Sequence, residues 1–239
     1  MKTSRYLLAV LATLALGGCD FATTTIDAED NRVFLPSVRA SVNLTRGEQA
    51  PSEPRDGHAI EFGMSRARGS DFQSLGAGQS PIVLDAKTFS GPQQLRNNFD
   101  FSFTELSWRW RRFFEEGPVG LEVHAGPGQS VLDLTVSSPT QQAYRHFSTF
   151  GPQAGVGVIW RMHPTTSLQA RLSGFISADE GVNRAAQFEC FVAKALHPNF
   201  IVRAGYAGWE AKGVNLSSGS DVRLRFSGPV LGLELTFGP

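Results

Sequence analysis

Residues 97–112 read Asn97-Asn98-Phe99-Asp100-Phe101-Ser102-Phe103-Thr104-Glu105-Leu106-Ser107-Trp108-Arg109-Trp110-Arg111-Arg112. Large apolar side chains recur at every second position, the period of a β-strand with one apolar face. Midway the phase changes. Phe99, Phe101 and Phe103 are out of step with Leu106, Trp108 and Trp110. An odd spacing inside one strand predicts a β-bulge, because one extra residue flips the side chains to the other face. The same change occurs near the C-terminus. Val222, Leu224 and Phe226 are out of step with Leu231, Leu233, Leu235 and Phe237, with Gly228-Pro229 marking the break.

Working outward, the period of two holds in the other segments. Val38, Ala40, Val42 and Leu44 alternate with Arg39, Ser41 and Asn43. Ile60, Phe62 and Met64 alternate with Glu61 and Gly63, and Val119, Leu121 and Val123 with Gly120 and Glu122. Comparable runs follow at Ala154 to Trp160, Leu168 to Leu172 and Phe200 to Tyr206. The class is all-β, and many strands of this length predict an up-and-down antiparallel barrel. Ten strands are expected: 37–45, 57–67, 81–90, 97–114, 118–127, 149–161, 166–177, 184–195, 199–210 and 219–237. An eight-stranded barrel starting at 57 is the alternative. Glu116-Gly117, His163-Pro164 and Leu196-His197-Pro198 read as short turns at one end. The segments 46–56, 128–148 and 211–218 read as loops at the other.

Composition removes several function classes. The 239 residues carry 22 basic and 22 acidic side chains, without the basic excess of a nucleic-acid binder. Two Cys cannot make a disulfide scaffold. The only long apolar run is at the start. Lys2 and Arg5 precede apolar Tyr6 to Leu16, and Gly17-Gly18-Cys19 follows, the three-part layout of a secretory signal. The expected organisation is a signal peptide over 1–18, a tether over 19–36 and a barrel domain over 37–239. Without residues 1–18 the net charge falls from 0 to −2.

Two stretches carry resemblances. Leu16-Gly17-Gly18-Cys19 resembles a bacterial lipobox, which implies lipidation of Cys19. Gly232-Leu233-Glu234-Leu235-Thr236-Phe237 resembles the terminal assembly signal of bacterial outer-membrane β-barrel proteins, although Gly238-Pro239 follow the aromatic residue. The resemblance implies a transmembrane barrel in the outer membrane of a Gram-negative bacterium, lipid-anchored at its N-terminus. Outer-membrane lipids, lipopolysaccharide and the barrel-assembly machinery are then its partners, and a monomer is expected. It implies a structural or envelope-interaction role. Aromatic residues Phe99, Phe101, Trp108, Trp110, Trp160, Tyr206 and Phe237 would face lipid near its interfaces. The opposite face would carry Arg109, Arg111, Glu122, Arg171, Glu189, Arg203, Arg223, Arg225 and Glu234.

A barrel of eight to ten strands has room inside for side chains and little else. Arg109, Glu122, Arg171, Glu189 and Arg203 are therefore expected to pair across a plugged or narrow lumen. The alternative is a soluble, lipid-anchored, lipocalin-like barrel with the faces reversed and a hydrophobic ligand inside. No spacing of His, Cys or carboxylates suggests a metal, no cofactor is implied, and the chain is read as non-enzymatic. His146-Phe147-Ser148 supplies the enzymatic alternative. Its His-x-Ser spacing resembles that of lipid A deacylases, with Thr149 where that pattern has Asn and no orienting acid close in sequence.

Overall fold

A computed structural model describes residues 25–30, 32–45, 56–114, 117–178, 181–215 and 220–237. Its described residues form strands and connections with no helix. The strands are Thr25–Asp30 (β1), Leu35–Asn43 (β2), Gly57–Leu75 (β3), Ile82–Leu84 (β4), Lys87–Phe89 (β5), Gln93–Phe113 (β6), Val119–Ser137 (β7), Gln142–His163 (β8), Thr166–Ile176 (β9), Gly181–His197 (β10), Phe200–Asn215 (β11) and Ser220–Phe237 (β12).

Ten of these make one sheet in the order β1-β12-β11-β10-β9-β8-β7-β6-β3-β2. The order returns to its start, because β2 also pairs with β12. β1 lies along Asp221 to Phe226 and β2 along Val230 to Phe237, both parallel to β12. They therefore share one position, and the ring has nine positions, against the ten or eight expected. All other neighbouring strands are antiparallel. Where the chain passes from β1 to β2 it presses on β12 at Gly228. A Cβ there would lie 1.8 Å from the Val33 carbonyl oxygen, so only glycine fits.

The predicted bulges are absent from the two strands that suggested them. β3 pairs with β6 from Gly57↔Arg111 to Leu75↔Gln93 in one register. β11 and β12 pair without a shift from Phe200↔Leu235 to Asn215↔Ser220. The side chains never change face; the apolar residues do. In β6, Leu95, Phe99, Phe101 and Phe103 are buried inside, and so are Glu105, Ser107, Arg109 and Arg111 further along the same face. Outside, Leu106 and Trp108 are exposed.

Every long strand repeats this reversal, at a common level. The outward residue changes from apolar to polar between Met64 and Arg66, Leu106 and Thr104, Pro127 and Gln129, Phe150 and Ser148, and Gly208 and Glu210. At one end of the ring the exterior is apolar and the interior polar. At the other end the exterior is polar and the interior apolar. The outward apolar belt covers 36–44, 58–64, 106–114, 119–127, 150–162, 166–176, 186–196, 200–208 and 229–237, with Arg112 and Lys194 near the end that holds Phe237. Most of these stretches are nine to eleven residues long.

The other end extends well beyond that belt. The segment 128–148 and residues 211–215, expected as loops, instead prolong β7, β8 and β11, with a turn at 138–141, while 216–218 lie outside the described residues. Of the expected loop 46–56, residues 46–55 lie outside the described residues; β2 ends and β3 begins at the end with the short turns, not at the end where that loop was expected. The expected tether 19–36 contributes β1 and the start of β2 from residue 25 on. Phe99 and Phe101 lie inside, in an aromatic cluster with Phe226 and Trp209, not on the outer face where an aromatic girdle would put them. Arg223 and Arg225 point outward and meet Glu210 at 3.0 and 3.8 Å.

The expected strand 81–90 is also outside the ring. It folds into the hairpin β4–β5, whose turn residues Asp85 and Ala86 have φ of 49° and 58°. Ile82, Leu84 and Phe89 are fully buried and join the interior apolar cluster. The hairpin spans the mouth of the polar-walled end: the Val83 amide donates to Ser220 Oγ, Gln141 Nε2 donates to the Thr88 carbonyl, and Lys87 Nζ donates to the Gln142 carbonyl. A left-handed conformation costs a non-glycine residue about 1 kcal/mol, and Asp-Gly suits this two-residue turn best. Ala86→Gly is therefore expected to slow hydrogen exchange of the Val83 amide about fivefold. Unchanged or faster exchange would show that the hairpin's stability does not depend on its turn.

Candidate functional site

The polar interior lies at the level of the outward apolar belt. Its charges are five arginines and five glutamates among the described buried residues: Arg39, Arg109, Arg111, Arg171 and Arg203 against Glu61, Glu105, Glu122, Glu189 and Glu234. Strand alternation puts them there. Arg39 stands between Val38 and Ala40, Glu61 between Ile60 and Phe62, and Glu234 between Leu233 and Leu235. Neighbours that face outward force each charge inward.

Glu61 is the hub and is wholly buried. Its Oε1 accepts from Arg39 Nη1 at 3.0 Å and Arg171 Nη1 at 2.8 Å, and its Oε2 from Arg109 Nη1 at 2.6 Å. Glu122 forms the next node. Arg111 donates to its Oε2 through Nε and Nη2 at 3.1 and 2.6 Å, and Arg171 Nε lies 2.6 Å from its Oε1. Arg39 continues to Glu189, which also faces Arg203 at 3.7 Å. Arg203 packs over Phe191, its Cζ 3.6 Å from the ring centre. Arg109 reaches Glu234 at 3.5 Å. Such forks fix geometry as well as charge, because guanidinium and carboxylate match in plane and spacing.

Of the residues the alternation singles out, Arg109, Arg171 and Glu122 fall in one linked group, and Glu189 with Arg203 joins it through Arg39. Arg39 and Glu61, the bridging members, were missed as partners. Both sit on the polar face of their strands, and that parity was the available signal. Which strands face each other across the ring was not readable. His124 is buried beside Glu122, with Nε2 3.0 Å from Ser173 Oγ. Gly155 makes room for it: a Cβ there would lie 2.5 Å from the His124 ring.

A cavity of about 10 Å³ lies beside Arg39, Glu105, Gln187 and Glu189, room for one water. Above it the interior is apolar and closed by the β4–β5 hairpin. Among the described residues no group of three or more His, Cys, Asp or Glu side chains could hold a metal ion. Cys190 lies on the outer face, half-buried and free. Cys19 lies outside the described residues. His146 and Ser148 lie outward on β8, on the polar-walled half. No protein-family model, curated protein or solved structure matches this chain.

Proposed function

We propose that the chain is an outer-membrane β-barrel lipoprotein with a filled lumen and a structural or envelope-interaction role. The observation that carries this reading is the reversal of faces at one level on every long strand. An apolar exterior over a charged interior suits lipid outside. A polar exterior over an apolar core suits water outside. Belts of nine to eleven residues match the length a tilted strand needs to cross a hydrocarbon layer. One half of the barrel then lies in the bilayer and the other stands in water above it.

If the short turns face the periplasm, as in other outer-membrane barrels, the aqueous half and its hairpin cap project from the cell surface. They are the parts open to envelope partners. The arginine–glutamate lattice and the apolar core above it support a plugged lumen and a barrel that does not conduct. Lipocalin-like ligand binding is disfavoured by the same core, because its own aromatic rings occupy the space a ligand would need.

Val156 is mid-belt on β8 and faces outward. Val156→Arg is expected to cost about 2–4 kcal/mol in lipid, the penalty for arginine near a bilayer midplane. Ser70→Arg, outward on the aqueous half, is expected to stay within about 0.5 kcal/mol. The readout is urea unfolding in vesicles, followed by the gel shift between boiled and unboiled protein from the washed outer-membrane fraction. Equal, small effects at both positions, with no gel shift, would replace this reading with a soluble tethered barrel.

A further inference from the structure

The way the ring closes sends the two ends of the chain to opposite sides. With an even number of antiparallel positions, the first and last strands are antiparallel and both termini lie at one end. With nine positions the closing pair is parallel: β1 and β2 run alongside β12 in its own direction. Phe237 pairs with Val42 at the end with the short turns, and Thr25 pairs with Asp221 at the end with the hairpin cap. From Asp221 to Phe237, β12 runs for sixteen residue steps. At a rise of about 3.3 Å per residue and a tilt of about 40°, they span about 40 Å along the barrel axis. The outward apolar belt begins on β12 at Pro229, so Thr25 stands about 20 Å beyond it.

Thr25 is held at that height. Ile26 and Ala28 are buried in the interior apolar cluster. On one side the backbone of β1 pairs with β12 throughout Thr25–Asp30. On the other, Gln73 Nε2 donates to the Thr25 carbonyl at 2.9 Å, Asn97 Nδ2 to the Asp27 carbonyl at 2.7 Å, and the Glu29 amide to Asp71 Oδ2 at 3.1 Å. Peeling β1 away to lower its start would uncover the core. Cys19 precedes Thr25 by six residues. Six residues fully extended reach at most about 21 Å. That reach meets the near edge of the belt. Crossing to the far edge would take about 25 Å more, the height of the apolar band of an outer-membrane barrel.

We propose that the acyl chains on Cys19 enter the outer leaflet of the outer membrane, on the cell-surface side of the barrel and opposite Phe237. The inference rests on the membrane placement and the lipidation of Cys19 proposed above, and adds the side on which the anchor lies. The short turns and Phe237 face the periplasm, so Thr25 emerges at the cell surface with the hairpin cap. An anchor in the periplasmic leaflet would need a tether about twice as long as the one present. The lipid that receives the N-terminus is therefore that of the outer leaflet. An acyl group there also fastens the start of β1 to the membrane, at the seam where the sheet closes.

The test uses the full chain in Gram-negative cells, with Cys190→Ala, so that an added thiol is the only free one once Cys19 is acylated. Thr23→Cys, in the tether, and Asn199→Cys, in the exposed turn between β10 and β11, are each treated with a membrane-impermeant maleimide. Thr23→Cys should label equally in intact and broken cells, and Asn199→Cys only after breakage. The mass of the N-terminal peptide should show a diacylglyceryl group on Cys19. Thr23 is four residues from Cys19, a reach of at most about 14 Å, so a lipidated chain labelled there from outside cannot be anchored in the periplasmic leaflet. The opposite pattern, with Asn199→Cys labelled in intact cells and Thr23→Cys only after breakage, would put the anchor on the periplasmic side and overturn the proposal. Labelling of both or of neither in intact cells would also overturn it, because the two ends would then not lie on opposite sides of the membrane. An unmodified Cys19 would overturn the anchor alone. The membrane placement stands or falls separately on Val156→Arg.

Discussion

Glu61→Ala is expected to destabilise the folded protein by about 3–5 kcal/mol, the penalty for leaving buried charge without its partner. Three guanidinium groups, from Arg39, Arg109 and Arg171, converge on this one carboxylate. They come from β2, β6 and β9, so the loss acts on strands from different parts of the ring. Arg39 and Arg171 keep second partners in Glu189 and Glu122. Arg109 keeps only the longer contact to Glu234 at 3.5 Å. The measurement is the urea midpoint of the folded form. If the single variant does not fold, Glu61→Ala with Arg109→Met removes one charge of each sign and should recover part of the folded band. A midpoint equal to that of the wild type would mean that water reaches these groups and the lumen is open.

Phe226→Ala is expected to cost a similar amount, about 3–5 kcal/mol, by a different mechanism. The Phe226 ring is 1 % exposed. It touches Phe99, Phe101 and Trp209 at centroid distances of 5.5, 5.4 and 6.4 Å. Removing it opens a cavity among stiff rings on β6, β11 and β12, which the closed sheet cannot collapse. Phe72→Ala is the control. Phe72 is 60 % exposed on the polar part of the outer wall, with Arg96 over its ring, and its loss should stay near 0.5 kcal/mol. A cost below about 1 kcal/mol at Phe226 would point to a loose interior able to admit a ligand, and would revive the lipocalin-like alternative.

Much of the site was legible as parity and little of it as pairing. Arg109, Glu122, Arg171, Glu189 and Arg203 each stand out because their neighbours in sequence are apolar. Their partners come from strands distant along the chain, with up to 150 residues between Arg39 and Glu189. Residues 82–89 form a hairpin outside the ring where the alternation predicts a wall strand over 81–90. Its apolar residues alternate as a wall strand's would, but here they point down into a core.

The residues alone determined an all-β chain, because the period of two is imposed by backbone geometry and survives any change of surroundings. They also recorded the change of phase in 99–110 and 222–237. Its cause was settled only by the tertiary structure. Unbroken registers at β3–β6 and β11–β12 show that no residue is inserted and that the apolar side simply passes from the inner wall to the outer. A sequence records which side chains avoid water. Where the water lies depends on how the strands close around a common axis, and closure into nine positions is a property of pairings between distant segments.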